Sequence, residues 1–487
     1  MRFKGIDPKK ELFIWGPLSF RLFYGAMFNT TLWGKMHRYY PWNWPPVLEV
    51  FRNGEVSFIV DNDDLRDVGT TYFTHYFLNP SMYKNHWKLW QQWLATFWEI
   101  DSQLDALPYR TLSHDQLGQL FDSYYQFNSD FWLIVQVPEI ANWGGEAMLL
   151  QELKHIDTDR AQEYLEILSA PTKPSFFQVE ELELLAIGLI SNESKRKHAL
   201  KEHARHYRWL LNSYAGDRIL SQSYFTAALK KLLRHGTPLE CMRTIERSIK
   251  DNQKRQTALV NDLGLSKRIQ FMAEQLRQSI WWQDLRKSYI WRMQYYWDKI
   301  LEQVARRHDW SMDDLLNCWP EEVRAILSNK KVDRQTIRSR SKQYAVYMSK
   351  QGYRHCYGVQ AAAITKIYGR KLLDKTITHV KGLVVSKTKN PITRGRAIIV
   401  RDPFKDGRAI KKGDILVATM TSPEFVVIMK KATAIVTDEG GMTAHAAVVS
   451  RELGIPCVCA TRVATQVFRT GDRIEVDTNS GSVRKIR

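Results

Sequence analysis

One histidine stands in an unusual setting. In the stretch "TDEGGMTAHAAVVSRELGIP", His445 follows the pair Gly440-Gly441 and Thr443, and it precedes an apolar run closed by Gly454 and Pro456. The two glycines permit a turn that side chains would obstruct and bring bare backbone N–H groups forward. Thr443 suits an N-cap, so a helix is expected from Ala444 to about Leu453, with Arg451 in its last turn. His445 then lies in the first turn, where unpaired N–H groups and the helix dipole favour an anion. That field disfavours a proton on the ring and leaves a neutral imidazole, which is a nucleophile. A phosphoryl group carried there would place its charge over the same N–H groups, at about 0.3–1 kcal/mol per dipole contact. The same residues also fit a capped helix whose histidine only hydrogen-bonds or holds an anion, and on the residues alone both readings stay open.

Other groups invite chemistry and are read as structural. His203 and His206 have the i, i+3 spacing that can pair two metal ligands, but no third ligand lies near in sequence, so a solvated helix face is expected. Trp42 and Trp44 in "YPWNWPP" are assigned to packing. Cys457-Val-Cys459 has donors for a soft metal, yet its apolar flanks predict a strand with two buried thiols. Glu321 and Glu322, after Pro320, supply negative charge to a helix start. No metal site is assigned.

The elements that must hold His445 belong to the last part of the chain. All 17 tryptophans lie before residue 320, and near Lys381 the hydrophobic period changes. From there "GLVVS", "RAIIVR", "DILVATM", "ATAIVT", "PCVCA", "RIEVD" and "SVRKI" are strand-length apolar runs. "SPEFVVIMKKA" adds a short helix, with Ser422 as N-cap, Pro423 at its first position and Lys430 and Lys431 in its last turn. Residues 1–370 read mostly as helices, with Ser113, Ser175, Ser221 and Ser311 as N-caps, stripes such as Trp87, Trp90, Leu94 and Phe97, and a long heavy helix from about Ser266 to Trp310. The fold class is therefore multidomain: a mostly α-helical N-terminal region (1–370), a linker (371–381) and a C-terminal domain of β texture with two short helices (382–487).

At 487 residues, 44% apolar and 25% charged, the chain has the composition of a globular protein with two or three domains. Five scattered cysteines without a C-x-x-C pair exclude a disulfide framework and point to a reducing cytoplasm. No membrane span or signal peptide is expected; the most apolar stretch, Leu12 to Phe28, is interrupted by Pro17 and Arg21 and reads as core. The net charge of +19 is spread among acids without a basic arm, so a nucleic-acid partner is not expected.

The segment "GGMTAHAAVVSRELGIP" closely resembles the phosphohistidine signature of the swivelling domain of phosphoenolpyruvate-utilising enzymes, a family that includes pyruvate phosphate dikinase, phosphoenolpyruvate synthase and rifampicin phosphotransferase. The likeness extends through "VKGLVVSKTKNPITRGRAIIV", "KKGDILVATMTSPEFVVIMKKATAIVTDEGG" and "GDRIEVDTNSGSVRKI", from about Lys381 to the C-terminus. It implies that residues 382–487 form a compact β/β/α swivelling domain, whose His445 takes a phosphoryl group from ATP on an ATP-grasp domain and swings to a second site. Gly440, Gly441 and Thr443 match the loop around that histidine, Arg451 is a supporting residue, and Ala444 stands where serine or cysteine is usual.

No part of the chain looks like an ATP-grasp domain, and no Walker-type loop occurs. The family's phosphoenolpyruvate-binding barrel, which follows the swivelling domain, is not expected because the chain ends there. The resemblance thus implies a phosphotransfer component. Mg-ATP would sit on a separately encoded ATP-grasp protein, and an unidentified small-molecule acceptor would sit on the helical region. The alternative is a non-catalytic docking or regulatory protein that keeps the domain.

Overall fold

The structure is a computed structural model and describes residues 3–234, 236–368, 377–403, 405–421, 425–441 and 445–486. It divides into two compact units: Met1–Phe20 with Pro45–Asp64 and Gln335–Arg487, and Arg21–Trp44 with Leu65–Arg334. No helix among the described residues is long and apolar enough to cross a membrane.

The second unit is helical, and its helices start where the serines predict. Ser113, Ser175, Ser221 and Ser311 each accept a hydrogen bond from a backbone N–H three residues on. Glu322 in turn accepts from the Trp319 N–H at 2.8 Å. The Pro80–Ala106 helix buries His86, Trp90, Trp93, Phe97, Asp101 and Leu104 at intervals of three and four. It packs with the His114–Ile156 and Lys267–His308 helices around the buried rings of Trp282, Trp291 and Trp297.

The His114–Ile156 helix runs on through Pro138, where a break would be expected. Proline removes the N–H that should reach the Ile134 carbonyl. The buried His86 ring contacts that oxygen at 2.9 Å through Nε2. A carbonyl only accepts, so Nε2 carries the proton, and burial holds the ring's pKa down at about 4. The flanking carbonyls are met as well: Tyr40 donates to Leu133 O at 2.8 Å and Arg286 to Val135 O at 3.2 Å. Three side chains thus stitch the helix across the proline. His86→Phe keeps the ring but orphans the Ile134 oxygen, at an expected cost of about 1–3 kcal/mol. In a Pro138→Ala background, where the helix N–H returns, that cost should shrink; paired urea melts of the four proteins measure it.

Asp298 gives this unit a pH signature. Its side chain is buried, accepts from the Tyr24 hydroxyl at 2.5 Å and is pushed up to about 8, chiefly by burial and further by the charge of Asp217. A carboxyl raised in the folded state contributes stability below its unfolded pKa of about 4 and loses that contribution as pH rises through about 8. Asp298→Asn stays neutral throughout. Between pH 4 and pH 9 it should therefore gain about 2–4 kcal/mol over the parent in thermal or urea melts.

The first unit contains two sheets. In the first, β1 (Leu12–Ser19), β2 (Val47–Arg52), β3 (Glu55–Asp61), β4 (Gln343–Ser349) and β5 (Gly352–Tyr357) form an antiparallel sheet ordered β1-β3-β2-β4-β5. Residues 1–370 are mostly helical, as read, and this sheet is an addition to that reading. The strands are short apolar runs, which periodicity does not separate from buried helix, and β2 pairs with β4 about three hundred residues later.

The second sheet holds β6 (His379–Lys381), β7 (Leu383–Ser386), β8 (Ile392–Val400), β9 (Ile415–Ala418), β10 (Ala434–Thr437), β11 (Cys457–Cys459), β12 (Arg473–Asp477) and β13 (Ser482–Lys485). Its order is β6-β13-β12-β8-β9-β10-β11-β7. Strands β8 to β11 run parallel and the remaining pairs are antiparallel. All seven expected strands are present. The eighth, β6, falls in the segment read as linker; residues 371–376 of that segment lie outside the described residues. The parallel strands are apolar on both faces, and Val417, Val436 and Val458 lie in one core with Phe468 and Ile474.

Candidate functional site

Parallel strands need crossover connections, and the His445–Leu453 helix is the one that joins β10 to β11. Its N-terminus lies beyond the carboxyl end of β10. In an open α/β sheet that edge is where ligands bind, because loops and helix N-termini converge there. The loop from β9 reaches the same edge: Thr421 Oγ1 lies 2.9 Å from His445 Nδ1. Two loops from neighbouring parallel strands therefore meet at this imidazole. The ring is partly exposed, with Nε2 shielded from solvent in this conformation.

The stem of the loop is fixed. Glu439 N donates to Thr419 O at 2.8 Å and Asp438 N to Ala418 O at 3.0 Å, which ties the exit of β10 to the exit of β9. The buried Asp438 carboxylate accepts from Thr465 N at 3.0 Å and from the Thr465 hydroxyl. Gly440 then has φ +119°, in the region that favours glycine, which is the freedom the sequence reading asked of it. Gly441 follows, partly buried. Thr443 and Ala444, with Met442, lie outside the described residues, as do Ser422, Pro423 and Glu424.

Arg451 sits six residues after His445, about 9 Å further along the helix axis at 1.5 Å per residue. Its Nε donates to Ala447 O at 2.9 Å, and its charge acts on the Cys457 and Cys459 thiols. The structure therefore joins His445, Gly440, Gly441 and Thr421 at one end of the helix and puts Arg451 toward the other. Thr421 was not singled out from sequence; its only signal is a hydroxyl residue shortly after the end of a predicted strand.

In the helical unit, His203 is not part of a solvated face. It is buried and its Nε2 lies 2.8 Å from Glu180 Oε1. His206 keeps its exposure and lines an open cavity of about 610 Å³ with Asp101, Asp105, Arg208 and Arg292. Trp42 packs against His75 and Tyr72, as assigned.

Residues 410–481 match the family described as PEP-utilising enzyme, mobile domain. Among curated proteins, the phosphoenolpyruvate synthase of Pyrococcus furiosus is 53% identical over 94 residues, 19% of this chain and 11% of that protein. A probable phosphoenolpyruvate synthase of Archaeoglobus fulgidus is 57% identical over 132 residues, 26% of this chain and 17% of that protein. The chain thus spans between about a tenth and a sixth of the length of these relatives. A solved structure, Thermococcus kodakaraensis aconitase X in its holo-form, aligns with 22% of this chain and 98% of that chain at 22% identity; its TM-score of 0.18 supports no argument.

Proposed function

We propose, because residues 410–481 match the PEP-utilising enzyme, mobile domain family, that the protein is a phosphotransfer component whose carrier is His445. The observation that carries the reading is the meeting of two loops at one imidazole, with Thr421 Oγ1 2.9 Å from Nδ1. When Nδ1–H donates to that hydroxyl, the lone pair resides on Nε2 and the nucleophilic atom is defined.

In the first half-reaction the Nε2 lone pair forms a bond to the β-phosphorus of ATP while the P–O bond to the α-phosphate breaks and AMP leaves with the electron pair; the γ-phosphoryl group is then transferred to water and departs as phosphate, leaving one phosphoryl group on Nε2. In the second, an acceptor oxygen forms the O–P bond as N–P breaks and the lone pair returns to Nε2; a hydroxyl acceptor releases its proton, a carboxylate has none to lose. Backbone N–H groups at the helix mouth stabilise the phosphoryl oxygens in both. The donor is ATP, with Mg²⁺, on a separately encoded ATP-grasp protein. Because Nε2 is shielded in this conformation, transfer requires it to become accessible to donor and acceptor in turn. The acceptor is a small molecule carrying a hydroxyl or carboxylate, and the 610 Å³ cavity of the helical unit is the first place to seek it.

The test is incubation with the ATP-grasp partner and ATP labelled at the β-phosphate. Label that survives alkali and is lost in acid supports the carrier. An unlabelled chain beside a partner that turns over ATP would leave a docking or regulatory role. Thr421→Val removes the tautomer's anchor while keeping shape; loading of His445 should slow by about tenfold, the worth of one hydrogen bond of about 1.4 kcal/mol.

A further inference from the structure

Two cysteines behind the histidine helix have no part in phosphoryl carriage. Cys457 and Cys459 occupy alternate positions of β11, so both side chains point to the same face of the sheet. Their sulfur atoms lie 3.6 Å apart, and both residues are fully buried. Three neighbours act on the pair: Ser450 hydrogen-bonds Cys457, Thr437 hydrogen-bonds Cys459, and the positive charge of Arg451 is felt by both thiols. Ser450 and Arg451 belong to the His445–Leu453 helix, and Thr437 ends the strand that leads into the His445 loop. The dithiol is therefore enclosed by the elements that position the histidine.

We propose that Cys457 and Cys459 form a two-electron redox site, a dithiol that a peroxide converts to a disulfide within one strand. Cys459 reacts first. Its hydrogen bonds and the nearby guanidinium favour the thiolate, which attacks one peroxide oxygen; the O–O bond breaks, hydroxide leaves and a sulfenic acid remains. Burial holds Cys457 as the neutral thiol. Its sulfur then attacks the sulfenic sulfur, the S–OH bond breaks, and water departs with the Cys457 proton. Hydrogen peroxide is reduced to two waters and two thiols are oxidised to one disulfide. The sulfurs need to close from 3.6 Å to a bond of about 2.05 Å.

Access comes from the edge of the sheet. Among the described residues the only strand outside β11 is β7, which has four residues, and its pairing with β11 shifts register between Cys457 and Val458. A short, irregular edge strand opens at low cost and uncovers the pair without global unfolding. Local opening of that kind is what separates a reactive buried dithiol from an inert one. The inference does not depend on the phosphoryl-carrier reading.

The experiment treats the reduced full-length chain with a small excess of hydrogen peroxide under native conditions and maps thiols by mass spectrometry. Cys457 and Cys459 should lose two hydrogens as a pair, before the half-buried Cys241 is modified, and dithiothreitol should restore them. In Cys457→Ser the reaction should stop at a sulfenic acid on residue 459 that dimedone traps; in Cys459→Ser no intrastrand product should form. The proposal is overturned if Cys241 reacts first and the pair oxidises only in denaturing urea. It is equally overturned if dimedone marks residue 457 in Cys459→Ser as fast as residue 459 in Cys457→Ser.

Discussion

His445→Asn is expected to fold like the parent protein and to carry no phosphoryl group. Position 445 is partly exposed, so the exchange should leave thermal stability within about 0.5 kcal/mol, as for surface sites without special packing. An amide is not a nucleophile at neutral pH, yet it can still meet the Thr421 hydroxyl across the loops. Loading from the ATP-grasp donor should fall by at least about a thousandfold, more than about 4 kcal/mol of barrier. Turnover with any acceptor should fall with it, because every transfer passes through the same nitrogen. Circular dichroism melts and a label-incorporation time course separate loss of chemistry from loss of fold. A variant that keeps its label would move the carrier to another side chain.

The largest stability loss is expected from Gly144→Val. Here the His114–Ile156 helix crosses the Asn62–Tyr72 helix with backbones in contact. A Cβ at Gly144 would stand 1.8 Å from Thr70 N and 2.1 Å from Gly69 C. Neither atom is the end of a flexible side chain, so the helices themselves must part. The cost should exceed the usual 1–3 kcal/mol of overpacking, at about 4 kcal/mol or more. Gly118→Ala on the same helix is the control. Nothing lies within 4 Å of a Cβ there, and the exchange should gain about 0.5–1 kcal/mol from helix propensity. Urea melts of both should shift in opposite directions.

What the sequence discloses here depends on how far the signal travels along the chain. Ser113, Ser175, Ser221 and Ser311 act on N–H groups three residues away, and all four cap the helices they introduce. The seven C-terminal strands are short runs between turn residues, and each one forms. The setting of His445 is equally local: a strand, a glycine turn, then a helix.

The differences, with one exception, are long-range. The β2–β3 hairpin did carry a local signal, Asn53-Gly54, and both residues have positive φ, the signature of a tight hairpin turn. It was outweighed by the helical texture around it, and β4, which completes that side of the sheet, comes only at Gln343. Pro138 would ordinarily end a helix, but His86, Tyr40 and Arg286 arrive from three other segments to meet the carbonyls of residues 134, 133 and 135. His203 looks solvated until Glu180, on a different helix, buries it. Thr421 gains its role only when β9 and β10 align in register, which no spacing within either strand announces.

The central claim is that one nitrogen of this chain holds phosphorus between two partners. Its most direct test is mass spectrometry of the intact chain and its peptides after incubation with the ATP-grasp donor and Mg-ATP, kept alkaline throughout. One phosphoryl group on residue 445, discharged when acceptor is added, is the predicted result. A chain that stays unmodified while the donor consumes ATP in its presence, or that is modified at a residue other than 445, would contradict it.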